Sequence, residues 1–130
     1  MARIILILLL ATASSSVMAE WVKIGKSDNG NGTAYFDTLI TKTNGSKVRM
    51  WTLFDFMIAK TTGGKTYLSM RQQIEFDCKN RKRRFMTYSL YSGNLGNGDI
   101  VFEDSTIGSW DVVSSDSIGD TLWKYACGKK

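Results

Sequence analysis

Residues 67–93 read YLSMRQQIEFDCKNRKRRFMTYSLYSG, and the first twelve of them alternate. Leu68, Met70, Gln72, Ile74, Phe76 and Cys78 share one side; Tyr67, Ser69, Arg71, Gln73, Glu75 and Asp77 share the other. Successive side chains on a β-strand point to opposite faces, so this is a strand with an apolar face and a polar one. Such a strand buries the first against a core and shows the second to water. Gln72 breaks the apolar set and places itself near a sheet edge. After Cys78 comes a turn dense in positive charge, then a second strand over 84–91 that closes on Tyr91-Ser92-Gly93. The stretch is therefore a hairpin with a cysteine beside its turn.

The same grammar extends in both directions. Turn-forming residues recur at 28–32, 44–45, 63–64, 93–98 and 108, and they separate short runs at 21–24, 34–37, 47–56, 67–78, 84–91, 100–103 and 110–113. Short runs at that spacing predict an antiparallel sheet or small barrel. Val48, Met50, Phe54 and Phe56 share one face of the third run while Trp51 and Leu53 lie on the other, which predicts cover on both sides. Near the C-terminus the period changes. Ile118, Leu122, Tyr125 and Ala126 fall on the stripe of an amphipathic helix. Ser117 with Asp120 forms a capping pair, and Gly128 is a stop signal. The fold expected is α+β and mainly β: a single antiparallel sheet of about six strands covered by a C-terminal α-helix.

The N-terminus has the layout of a secretory signal. Arg3 precedes an aliphatic run from Ile4 to Leu10, and Val17-Met18-Ala19 supplies a cleavage site before Glu20. The run is too short to span a bilayer, which takes roughly 20 apolar residues. Residues 1–19 are thus read as signal peptide and 20–130 as one exported domain, with no transmembrane segment after cleavage. The chain has 2 Cys residues, Cys78 and Cys127. An even count in an exported chain predicts a disulfide. Closing that loop would stabilise the fold by roughly 4 kcal/mol in the chain-entropy limit.

Catalytic chemistry has little to draw on. The chain has 0 His residues, so the usual general base near neutral pH is missing. Asp55, Glu75, Asp77, Asp99, Glu103, Asp104 and Asp111 are available carboxylates, but nothing in their spacing makes a catalytic pair, and most such acids are simply solvated. Two Cys without His do not close a zinc site, and Gly96-x-Gly98 opens no helix and so is a turn. No catalytic residue, cofactor or metal is expected, and the chain is read as a non-enzyme.

Charge is more informative. Of 17 basic residues, Lys79, Arg81, Lys82, Arg83 and Arg84 occupy five of six consecutive positions. The chain after residue 19 has 16 basic and 12 acidic residues, and outside the cluster 11 against 12. The positive excess therefore sits in one turn. A concentrated field of this kind attracts polyanions and acidic protein segments and weakens with salt; the bland alternative is a solvated turn. No specific nucleic-acid partner is indicated. Arg83 and Arg84, nearest the strand, should be held better than Lys79 and Lys82. Serine at Arg81, Lys82, Arg83 and Arg84 should abolish heparin retention and leave thermal stability nearly unchanged. A second reading is an exported inhibitor or accessory protein, periplasmic or secreted, that binds a partner through the rigid loop 93–98.

Taken in order, Trp21-Val-Lys-Ile, Tyr35-Phe-Asp37, Val48-Arg-Met-Trp51-Thr-Leu-Phe-Asp55, Tyr67-Leu-Ser69, Ile74-Glu-Phe-Asp-Cys78-Lys79, Arg84, Tyr91-Ser-Gly93 with Gly96 and Gly98, Trp110-Asp-Val-Val113, and Leu122 with Ala126-Cys127 resemble the surface-adhesin protein E family of Gram-negative bacteria. The resemblance implies a sheet with a C-terminal helix and a Cys78–Cys127 disulfide joining them. It also implies binding of host matrix and serum proteins such as vitronectin, laminin and plasminogen, a capacity to form a homodimer, and an exported location at the cell surface, in the periplasm or in the medium. Two positions depart from the family pattern: the cleavage point has no lipid-accepting Cys, and Ser114-Ser115-Asp116-Ser117 stands where Pro-Gly is expected.

Overall fold

A computed structural model describes residues 20–27 and 30–128. The expected signal segment 1–19 lies outside them. The described chain builds eight strands and one α-helix: β1 (Trp21–Ser27), β2 (Gly32–Asp37), β3 (Thr41–Lys42), β4 (Lys47–Thr62), β5 (Lys65–Asp77), β6 (Lys82–Tyr91), β7 (Ile100–Asp104), β8 (Asp111–Val112) and α1 (Ile118–Ala126). They form a single antiparallel sheet with the strand order β1-β2-β4-β5-β6-β7, while β3 pairs with β4 and β8 with β6. The six-strand path matches the sequence expectation; β3 is too short to announce itself.

The strand first singled out, β5, is central rather than marginal. Gln72 pairs with Thr52 on one side and Tyr88 on the other, so its polarity does not mark an edge. The β4–β5 hairpin is longer than its apolar pattern suggested, because the polar residues past Phe56 still pair, up to Thr62 with Lys65. Gly63 and Gly64 turn it with φ of 53° and 77°, the left-handed region that a two-residue hairpin requires and glycine tolerates.

One sheet face carries the main core. Phe36, Val48, Met50, Ile74 and Phe76 pack against Leu122, Trp123 and Ala126 of α1, with Val113 beside them. The predicted capping pair forms: the Ser117 hydroxyl accepts the Asp120 N–H at 3.1 Å. The buried stripe is rotated from the expected one. Trp123 is buried and its indole N–H donates to the Asp77 carbonyl at 3.1 Å. Tyr125 is 47 % exposed, though its ring still rests 4.2 Å from that of Phe36. The Cys78–Cys127 disulfide joins the end of β5 to the end of α1, with Cα atoms 5.5 Å apart.

The opposite, outer face is not the water-facing surface that alternation predicts. Ser69, Glu75 and Asp77 are 0 %, 2 % and 8 % exposed. At one end of that face the loop 93–98 folds over Leu53, which is 1 % exposed; β4 is covered on both sides as its pattern required. Ser69 pins the loop, donating to the Gly93 carbonyl at 2.7 Å and accepting the Gly96 N–H at 2.8 Å. Among the described residues no helix is long and apolar enough to cross a membrane.

Candidate functional site

The basic turn follows from Asp77. Its Oδ1 accepts the N–H groups of Lys79 and Asn80, both at 3.1 Å, and its Oδ2 accepts the Asn80 side-chain amide at 2.9 Å. The Asn80 side-chain bond is the largest of the influences that hold the Asp77 carboxyl below its ordinary range, against an opposing push from burial. Arg81 then takes a left-handed φ of 52° and starts β6 in register with β5.

From there the five basic residues part company. Arg81 turns toward α1: it pairs with Asp120, lies 4.8 Å from the Trp123 ring, and donates Nε to the Val113 carbonyl at 3.3 Å. Arg83 is in register with Phe76 and so points to the core side. Its guanidinium lies against Gly119 and 5.3 Å from the Phe85 ring, and its Nε is buried without a hydrogen-bond partner among the described residues. Arg84 is in register with Glu75 on the outer face and donates to its Oε1 from Nε at 2.9 Å and Nη2 at 2.7 Å. Lys79 and Lys82 are exposed. Three of the five are therefore built into the fold, and serine at Arg81, Arg83 and Arg84 would remove structural contacts along with charge. The turn is not the detachable feature that the sequence suggested.

Register adds residues that the linear cluster does not contain. Lys47, Asp77 and Lys82 stand side by side on the outer face; Arg49, Glu75 and Arg84 form the next row. Glu75 receives Arg49 Nε at 2.9 Å as well as Arg84, and the Thr43 hydroxyl at 3.3 Å. Burial pushes the Glu75 carboxyl up, but hydrogen bonds and charge from Arg49 and Arg84 outweigh it and leave the group below its ordinary range. Trp110 reaches across these rows, 4.5 Å from the Arg84 guanidinium and 5.8 Å from Lys47 Nζ. Farther along, the Arg71 guanidinium lies 3.9 Å over the Trp51 ring. Lys47 and Arg49 are separated in sequence from Arg71 and from the basic turn, and only strand register brings them together. Alternation along 47–51 was the available signal, but it carries no information about the neighbouring strand.

Glu75 and Asp77 are two buried acids on one face, the arrangement that would suit carboxylate chemistry. Both are held ionised by permanent partners, and neither lies in a cleft: no cavity opens among the described residues. A general acid needs a proton to give near working pH, and these groups are tuned the other way.

The loop 93–98 is a second distinct feature. Leu95 has a φ of 55° and is 51 % exposed. The Asp55 Oδ1 accepts its N–H at 2.7 Å and the Asn94 amide at 3.1 Å. A branched side chain in left-handed backbone is strained, and here it points away from the core.

The family model for surface-adhesin protein E matches residues 21–128. Solved structures of Haemophilus influenzae protein E share the fold. Crystal form II superposes with a TM-score of 0.64 at 16 % identity, covering 82 % of this chain and 87 % of that one. A further protein E structure gives 0.63 at 17 % identity, with 82 % and 83 % covered. No curated protein sequence matches.

Proposed function

The chain belongs to the surface-adhesin protein E family, and from that membership we propose an exported, non-enzymatic binding protein that engages a host matrix protein or a polyanion at the cell surface. Family membership is the observation that carries the reading. The contact is assigned to the basic turn 79–84, with Lys79 and Lys82 as its exposed charges and Arg81, Arg83 and Arg84 as the frame that presents them. A turn fixed by Asp77 and by α1 loses little freedom on binding, which favours affinity. Pairing of two copies belongs to the same proposal and is read by sedimentation equilibrium.

The decisive experiment asks where the protein goes. Intact cells expressing it are labelled with antibody or treated with protease, beside a periplasmic extract and the medium. Adhesion requires labelling of intact cells. Confinement to the periplasm would contradict it.

Leu95 favours a second reading, an inhibitor or accessory protein acting through loop 93–98. An exposed leucine on a strained, hydrogen-bonded loop suits insertion into an apolar pocket of a partner. A complex that survives high salt and is lost with Leu95→Gly would select this reading over electrostatic adhesion.

A further inference from the structure

The exposed charge of the basic turn does not stop at the turn. Lys82 stands in register across β5 from Lys47. Arg49 follows Lys47 on the same face of β4. Arg71, paired with Leu53, continues that face on β5 beyond Trp51. At about 3.4 Å per residue this line from Lys47 to the Leu53–Arg71 row is about 20 Å long. The acids beneath it are hidden: the Glu75 side chain is 3 % exposed, against 36 % for Arg49 and 27 % for Arg84. A ligand arriving from solvent meets cations first. The guanidiniums are also held in place, by Glu75 and by the Trp51 ring. Arg49 uses only Nε on Glu75, and its two terminal amino groups have no hydrogen bond among the described residues.

Resting on the adhesin reading above, we infer that the outer sheet face is a track for an extended anionic polysaccharide, running from Lys82 and Lys47 past Arg49 to Arg71. Three observations choose this ligand over other anions. The track is shallow, with the Trp110 ring across its Lys47 end, and with no cavity among the described residues a protein partner's side chains find no pocket to anchor in. Arg71 and Arg84 lie on Trp51 and Trp110, where the bases of a single-stranded nucleic acid would stack. What remains is a file of cations at sheet spacing, its guanidiniums held by Glu75 and Trp51, which matches a polymer of repeated sulfate or carboxylate groups.

The test uses the mature chain, residues 20–130, and heparin as probe. Lys47→Ser/Arg71→Ser removes two track cations that make no ion pair among the described residues, and Arg49 and Arg84 are left to hold Glu75. This variant should stay folded, melting a little below the wild type for the loss of two cation–ring contacts, and elute from heparin at lower salt. The slope of log affinity against log salt should fall by about one to two, about one per lost contact. Lys79→Ser/Lys82→Ser is run beside it. If only that second variant weakens retention, the track is overturned and the turn stands. A wild type that is not retained overturns the track as well, while cell-surface labelling still decides the adhesin reading. Oligothymidylate competing as well as heparin overturns the polysaccharide assignment.

Discussion

Arg83 occupies the space that a side chain on residue 119 would need. Its Nη1 sits where a Cβ on Gly119 would be placed, so a side chain at 119 must displace the end of Arg83 and the contacts it makes there. Gly119→Ala pits two effects against each other. Alanine favours a helix over glycine by about 1 kcal/mol, while overpacking costs typically about 1–3 kcal/mol. With Arg83 present the variant should be less stable than helix propensity alone predicts, because the arginine end has to move. In an Arg83→Ala background the same change should stabilise. Urea unfolding of the four proteins gives the coupling, and additive effects would show that the two residues do not compete for one space.

Acid should unfold the protein from one direction only. Glu75, Asp77 and Asp120 all have folded pKa values below their ordinary ones. For Asp120 burial pushes upward, and the Asp116 N–H with Arg81 and Lys124 overcomes it. Each group binds a proton more weakly folded than unfolded. Its stabilisation is complete above the ordinary carboxylate range near about 4 and is lost as pH falls through the depressed folded values. The melting temperature should be nearly flat from about pH 8 to 5 and fall below about 4. Asp77→Asn should melt lower at neutral pH and lose less on acidification. Stability rising with acid would contradict the assignment.

The disulfide is both expected and present. A thiol assay on the denatured chain, residues 20–130, should find no free thiol. Serine at both Cys78 and Cys127 should lower stability by about 2–4 kcal/mol, measured by urea unfolding. The strand and helix ends it joins are already held by Trp123 on the Asp77 carbonyl, so a folded but weaker protein is expected.

Loop 93–98 separates strain from anchoring. Leu95→Gly should leave stability unchanged or raise it by up to about 1 kcal/mol, because glycine accepts positive φ. Ser69→Ala should cost about 1–3 kcal/mol, since it strips partners from the Gly93 carbonyl and the Gly96 N–H under the loop. Thermal melts of the two variants moving in the same downward direction would contradict this division.

Period-2 alternation in 67–78 and 47–56, the Ser117–Asp120 cap and the two cysteines made the sheet, the helix and their bridge legible in the sequence. Alternation reports which residues share a face, and it misled where the polar face met partners distant in sequence. Glu75 is buried because Arg49 and Arg84 arrive from adjacent strands. Gln72 is central because strand order is a tertiary property. Met86 is an extra residue in β6, opposite the step from Gln73 to Ile74. It puts Arg84 on the same face as Thr87, so simple counting along β6 mis-assigns one of them. The basic cluster was visible as charge, but its division between clamp and surface depends on α1, nearly forty residues away in sequence.

The most direct measurement pairs heparin retention with thermal melting in Lys79→Ser/Lys82→Ser and in Arg81→Ser. The lysine variant should keep the wild-type melting temperature and elute at clearly lower salt. Arg81→Ser should melt lower, because it leaves Asp120 without its guanidinium partner. Unchanged retention in the lysine variant would remove the turn from binding, and an unchanged melt for Arg81→Ser would show that the turn does not clamp the helix.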